Sequence, residues 1–199
     1  LSAEQKIMIA YDLIGQTPLV LLENFSDENV KIYAKLEQFN PGGSIKDRLG
    51  KYLIEKAIDE GRLKEGDTIV EETAGNTGFG LAIASNRHKI KCIIFAPEGF
   101  AEEKISIMKA LGADVRRTPK AEGMTGAQQE ALAYATRYGY LYMNQFETKD
   151  NPGAYTQTLA KQLTDELSHI DYFVAGVGSG GTFTGVAQHL KTYNVKNYI

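Results

Sequence analysis

Cysteine is almost absent from these 199 residues. The one thiol, Cys92, can close no internal disulfide and can supply no half of a zinc site, which excludes a redox framework and fits a reducing cytoplasm. An excess of basic charge is missing too. The 22 Lys and Arg residues are interleaved with 25 Asp and Glu, so a net charge of -3 leaves nothing to neutralise a phosphate backbone, and nucleic acid is excluded as the main partner. Long apolar runs are lacking: stretches such as 92–96 fall far short of the ~20 residues that cross a bilayer, so no membrane partner is expected. Residues 1–11 combine no basic stretch, apolar run and small-residue cleavage site, so no signal peptide is visible. Met8 makes a natural start, and residues 1–7 are expected to be vector-derived.

Several catalytic signatures are absent as well. His88, His169 and His189 show no metal-ligand spacing, and no metal site is expected. Neither a G-x-x-x-x-G-K-[ST] run nor a G-x-S-x-G elbow occurs. Ser106-Ile107-Met108-Lys109 matches S-x-x-K only by letter, inside an amphipathic helical pattern and without its companion motifs. Cys92, flanked by apolar strand residues, reads as a buried inert thiol.

What the chain does have is the make-up of a folded protein, 43% hydrophobic and 24% charged, enough for one domain or two small ones. Apolar runs at 19–22 and 30–36 flank the turn Ser26-Asp27-Glu28-Asn29 and predict a hairpin. Strands at 68–71, 91–96, 114–117, 140–143 and 172–176 then alternate with helical patterns at 45–60, 77–87, 101–111, 124–138, 154–167 and 182–191. Such alternation predicts an α/β protein with a parallel sheet. In the first of these helices Leu49, Leu53 and Ala57 form a stripe flanked by Ile54 and Ile58, and Gly61 ends it. In the helix 101–111, Ile105, Met108 and Leu111 share a face and Gly112 follows. The chain stops at Tyr198-Ile199, which reads as the opening of another strand with no helix left to cover the sheet, so the protein is expected to continue.

Three loops stand at strand-to-helix junctions, where open α/β sheets tend to bind ligands. Asn40-Pro41-Gly42-Gly43-Ser44-Ile45-Lys46-Asp47 ends in a capping-box pattern with Ser44 as N-cap and Asp47 three residues on, which puts Lys46 in the first helical turn. The partial positive charge there should lower its amine pKa, the direction that makes a lysine nucleophilic, although taken alone the residue reads better as a solvated surface lysine. Glu72-Thr73-Ala74-Gly75-Asn76-Thr77-Gly78 offers backbone N–H groups and small polar side chains to an anion such as a carboxylate, or forms a turn capped by Asn76 or Thr77. Gly176-Val177-Gly178-Ser179-Gly180-Gly181-Thr182 suits a phosphate. It also satisfies G-x-G-x-x-G, but no acidic residue follows to meet a ribose.

An amine nucleophile, a carboxylate loop and a phosphate loop are together the parts that hold pyridoxal phosphate with an amino acid substrate. These motifs, with Ile14-Gly15-Gln16-Thr17-Pro18-Leu19 and Asn144-Gln145-Phe146, closely resemble the cysteine synthase and cystathionine β-synthase family, fold type II of the pyridoxal phosphate enzymes. The resemblance runs from about Tyr11 to the end of the chain. It implies open, mostly parallel twisted sheets in two lobes: residues 1–48 and 152–199 in a large cofactor-binding lobe, and 49–151 in a small mobile one. It also implies a cytoplasmic homodimer whose remaining C-terminal segment, including the Ser or Thr that meets the pyridine nitrogen, is not in this chain.

By the same resemblance Lys46 would carry pyridoxal 5'-phosphate as a Schiff base and would move the substrate's Cα proton. Asn76 would bond the ring oxygen, and Gly178, Ser179, Gly180, Gly181 and Thr182 would cradle the phosphate. Thr73, Ala74, Gly75, Asn76, Thr77 and Gln145 would take the substrate carboxylate. The implied reaction is β-replacement on an activated serine such as O-acetylserine, giving cystathionine from homocysteine or cysteine from sulfide. Many cysteine synthases carry Ser where this chain has Ala74 and Pro where it has Glu72; the Thr-Ala-Gly-Asn-Thr-Gly form resembles the O-acetylserine-dependent cystathionine branch. The alternatives are β-elimination of the serine/threonine dehydratase type on this fold, and a non-catalytic anion- or nucleotide-binding module.

Overall fold

A computed structural model describes residues 8–193 and 196–198. Residues 1–7, expected to be vector-derived, lie outside the described residues, as do 194, 195 and 199. The predicted hairpin is present as the antiparallel pair β1 (Leu19–Leu21) and β2 (Tyr33–Lys35), with Leu19 opposite Lys35. It is shorter than its apolar runs, because the chain turns through one-turn helices at Glu23–Phe25 and Glu37–Phe39.

Next come α1 (Lys46–Asp59), β3 (Thr68–Glu72), α2 (Asn76–Arg87), β4 (Lys91–Pro97), α3 (Glu102–Ala110), β5 (Asp114–Thr118), α4 (Gly123–Tyr138) and β6 (Leu141–Tyr142). The strands form one parallel sheet in the order β5-β4-β3-β6, so β3, the second strand of that order from its β6 edge, runs between two neighbours. Every residue of β3 is buried. On one side of the sheet Ile69 and Ile94 pack with Leu49, Leu53 and Ile54 of α1 and Leu81 of α2. Val70, Ile93 and Phe95 pack instead with Ala127, Ala131 and Ala135 of α4. Adjacent residues of one strand thus feed two cores, the arrangement a parallel sheet needs. Strand β6 covers only two of the four residues predicted for it, since Met143 and the left-handed Asn144 (φ 47°) turn the chain across the end of β3.

After this sheet the chain forms α5 (Asp150–Tyr155), a π turn at Thr156–Ala160, α6 (Lys161–Glu166), β7 (Tyr172–Val174), α7 (Gly181–Leu190) and β8 (Lys196–Tyr198). The helical run predicted from 154 begins four residues earlier. Pro152 therefore falls in a first turn, where its missing N–H costs nothing. Strand β7 ends at Val174, short of the predicted 176, and pairs with β8 in parallel. Among the described residues no helix is long and apolar enough to cross a membrane, and no group of three or more His, Cys, Asp and Glu could hold a metal ion.

Two glycines set how α1 meets α2. A β-carbon on Gly50 would lie 2.2 Å from the Gly80 carbonyl carbon, and one on Gly80 would lie 2.3 Å from the Lys46 carbonyl oxygen. The helices cross backbone to backbone. That contact brings the first turn of α1, with Lys46, against the start of α2.

Candidate active site

The loop before α1 is held by its polar residues. Asn40 is 3% exposed. Its amide donates to the backbone oxygen of Glu37 and to Glu37 Oε2, both at 2.9 Å, and its Oδ1 accepts the Gly15 N–H at 2.7 Å. The predicted capping box does not form: the N-cap is Ile45 and not Ser44, Ser44 Oγ accepts the N–H of Lys46 at 3.2 Å, and Asp47 reaches back to the N–H of Gly42 instead of Ser44. The turn at Gly42 and Gly43 brings an earlier donor within reach of the carboxylate, and Gly42 has no side chain to block it. Burial pushes the Asp47 carboxyl up to about 6, against the pull of that hydrogen bond.

Lys46 is the first residue of α1, and its Nζ lies 3.3 Å from Ser179 Oγ. Its pKa is lowered, in the direction the sequence predicts but through burial and not through the charge of the helix N-terminus. The largest cause is burial, partly opposed by the carboxylate of Glu71. Among the described residues its ammonium forms no salt bridge. The structure thus brings the first and third glycine-rich loops together across 133 positions of sequence.

In the second loop Thr73 and Ala74 are buried, and Thr73 Oγ1 accepts the N–H of Gly75 at 3.1 Å. Neither Asn76 nor Thr77 is the N-cap. Extended Gly75 (φ -128°) precedes the helix without a side-chain cap, because backbone alone turns the chain here. Thr77 donates to Gln145 Oε1 at 2.7 Å, whereas Asn76, the first residue of α2, is exposed. In the third loop Gly180 adopts a left-handed conformation (φ 81°) that glycine alone accepts without strain, and α7 begins at Gly181. Gly176 and Gly178 have open space around them, since a β-carbon on either would meet nothing within 4 Å. The N–H groups that a helix leaves unpaired at its start, here those of α7, join Ser179 and the partly buried Thr182 in an open cradle for an anion.

Two residues of this site escaped the sequence reading. Asn151, in the first turn of α5, donates to the Gln145 backbone oxygen at 2.7 Å and to Ser179 Oγ at 3.0 Å, so it ties the second loop's partner to the third loop. Glu71 is fully buried at the end of β3, with Oε1 3.5 Å from the N–H of Gln145 and Oε2 without a hydrogen-bond partner among the described residues. Burial and the adjacent Glu72 raise its pKa well above the ordinary value of 4.5. An acidic residue inside an apolar strand was the available signal for Glu71. Nothing local marked Asn151. Glu72 faces the other side of the sheet and accepts the Tyr142 hydroxyl, which pins the short β6 to β3.

Residues 10–198 match the family model described as pyridoxal-phosphate dependent enzyme. The chain is 50% identical over 186 residues to an O-acetylserine dependent cystathionine beta-synthase of Bacillus subtilis, covering 92% of this chain and 61% of that protein. It is 48% identical to a cysteine synthase of Helicobacter pylori over 90% of this chain and 60% of the relative. Among solved structures, an O-acetylserine dependent cystathionine beta-synthase from Helicobacter pylori superposes with a TM-score of 0.88 at 44% identity, covering 96% of this chain and 65% of the other. A cysteine synthase from Entamoeba histolytica superposes with a TM-score of 0.87 at 36% identity, covering 97% and 60%. The chain spans about three-fifths of the length of the curated relatives it matches.

Proposed function

Because the chain belongs to the pyridoxal-phosphate dependent enzyme family, we propose that it carries most of the active site of an enzyme replacing the β-substituent of O-acetylserine with a sulfur nucleophile. The observation that carries this reading is the meeting of a partly buried amine of lowered pKa, Lys46 Nζ, with the hydroxyl of a glycine-rich loop at a helix N-terminus. The residues fit the cofactor: the loop before α7 leaves space beside Gly176 and Gly178, and the amine faces Ser179.

In this reading Lys46 holds pyridoxal phosphate, Gly178 to Thr182 take its phosphate, and Asn76 bonds its ring oxygen. When bound, the cofactor supplies an electron sink that acidifies the substrate Cα–H and lets the β-substituent leave. The chain supplies position and proton movement. Thr73, Gly75, Asn76 and Thr77, with Gln145, hold the substrate carboxylate through N–H and side-chain donors, next to the small buried Ala74. Lys46 Nζ takes the Cα proton, a task that a lowered pKa favours. Residues 49–151 form the lobe that closes on that carboxylate and excludes water. The protein acts as a cytoplasmic homodimer.

Homocysteine is the proposed acceptor, with sulfide the competing one. Ala74 leaves out a hydroxyl beside the substrate, which changes the space and the donors offered to an acceptor without touching Lys46. Incubation with O-acetylserine and equal amounts of sulfide and homocysteine, followed by chromatography of the products, tests the reading. Cystathionine in excess of cysteine is expected; neither product, or pyruvate alone, would refute it.

A further inference from the structure

We propose that Asn151 is a positioning residue that fixes the direction of the Ser179 hydroxyl, so that this hydroxyl donates to a phosphate monoester in the loop before α7. The proposal deepens the pyridoxal phosphate reading and rests on it. Asn151 is 2% exposed, and its Nδ2 uses both hydrogens, one on the Gln145 carbonyl at 2.7 Å and one on Ser179 Oγ at 3.0 Å. Reversing the amide would set its oxygen against the Gln145 carbonyl, so the donor orientation is fixed by repulsion as well as by attraction. Packing holds it there. A β-carbon at Gly181 would lie 1.8 Å from Asn151 Oδ1, and only glycine lets the amide rest against the first residue of α7.

Ser179 Oγ accepts a second hydrogen bond from Lys46 Nζ at 3.3 Å. A hydroxyl has two acceptor sites and one proton. With both acceptor sites filled by Asn151 and Lys46, the proton is left for a third partner, which an anion in the open part of the loop provides. Lys46 must leave Ser179 when its nitrogen is engaged elsewhere. Asn151 has no such second task and keeps the hydroxyl turned as a donor.

The test compares equilibrium binding of pyridoxal 5'-phosphate and of pyridoxal, which lacks the phosphate, by absorbance titration of the folded protein. Wild type should prefer the phosphate ester strongly. In Asn151→Ala that preference should fall about tenfold or more, the scale of a hydrogen bond to a charged group, with pyridoxal binding little changed. In a Ser179→Ala background the same substitution should shift it less than about twofold. If Asn151→Ala fails to fold by circular dichroism, the isosteric Asn151→Asp serves: its carboxylate can only accept, takes the Ser179 proton, and should lower the preference further. An unchanged preference, or a loss that persists undiminished without the Ser179 hydroxyl, would overturn the proposal alone. A wild type that binds neither compound would overturn the pyridoxal phosphate reading and this one with it.

Discussion

Gly80 lies so close to Lys46 that a β-carbon on it would sit 2.3 Å from the Lys46 carbonyl oxygen. The proposed attachment lysine is thus placed by a backbone contact between α1 and α2. Gly80→Ala must part the two helices. We predict a stability loss of more than about 2 kcal/mol in urea unfolding, at the upper end of ordinary overpacking because the obstacle is main chain. A loss below about 0.5 kcal/mol would show that the crossing can relax.

Arg48, in the turn of α1 that Lys46 begins, is buried with its guanidinium among polar groups. Its Nε and Nη2 grip Glu37 at 2.7 and 2.8 Å, and Nη2 also reaches Gly15 O, Thr17 and Gln162. Removing the carboxylate leaves a buried guanidinium without its counter-charge. Glu37→Ala should therefore cost about 3–5 kcal/mol. Thermal unfolding measures it, and a variant as stable as wild type would mean that water reaches Arg48.

Glu71 gives stability a pH dependence of known sign. Its folded pKa is raised, so between 4.5 and that folded value the folded chain binds more protons than the unfolded one, and stability falls as pH rises. Glu71→Gln removes this cost. Its advantage over wild type in unfolding free energy should widen steadily from pH 5 upward; a gap that stays constant with pH would contradict the buried-acid description.

Cys92 is 4% exposed on β4, and burial pushes its thiol up to about 12. Iodoacetamide at pH 8 should label it only on the timescale of unfolding, and readily in urea. Rapid labelling of the native protein would show that the sheet opens around β4.

The alternation of strands and helices was legible because the central strands β3 and β4 carry apolar residues on both faces, as Ile69 and Val70 show, and the long helix α1 carries one apolar stripe, as Leu49 and Leu53 show. The three glycine-rich loops were legible because tight strand-to-helix turns restrict residue type, as the left-handed Gly43 and Gly180 show. What the spacing could not show is how polar groups share partners across the fold. Asp47 meets the Gly42 N–H and not Ser44, and Asn151 joins Gln145 to Ser179, because the turns bring these groups within reach only once the chain is folded. Strand β6 was overestimated for a related reason: its apolar run continues, but Asn144 takes a left-handed turn that puts Gln145 over Glu71.

The account stands on the ε-nitrogen of Lys46. Incubation with pyridoxal 5'-phosphate, reduction with borohydride and peptide mapping by mass spectrometry should find the phosphopyridoxyl group on the peptide that holds Lys46, and should find none in Lys46→Ala. A label on another lysine, or no label in the wild type, would contradict it.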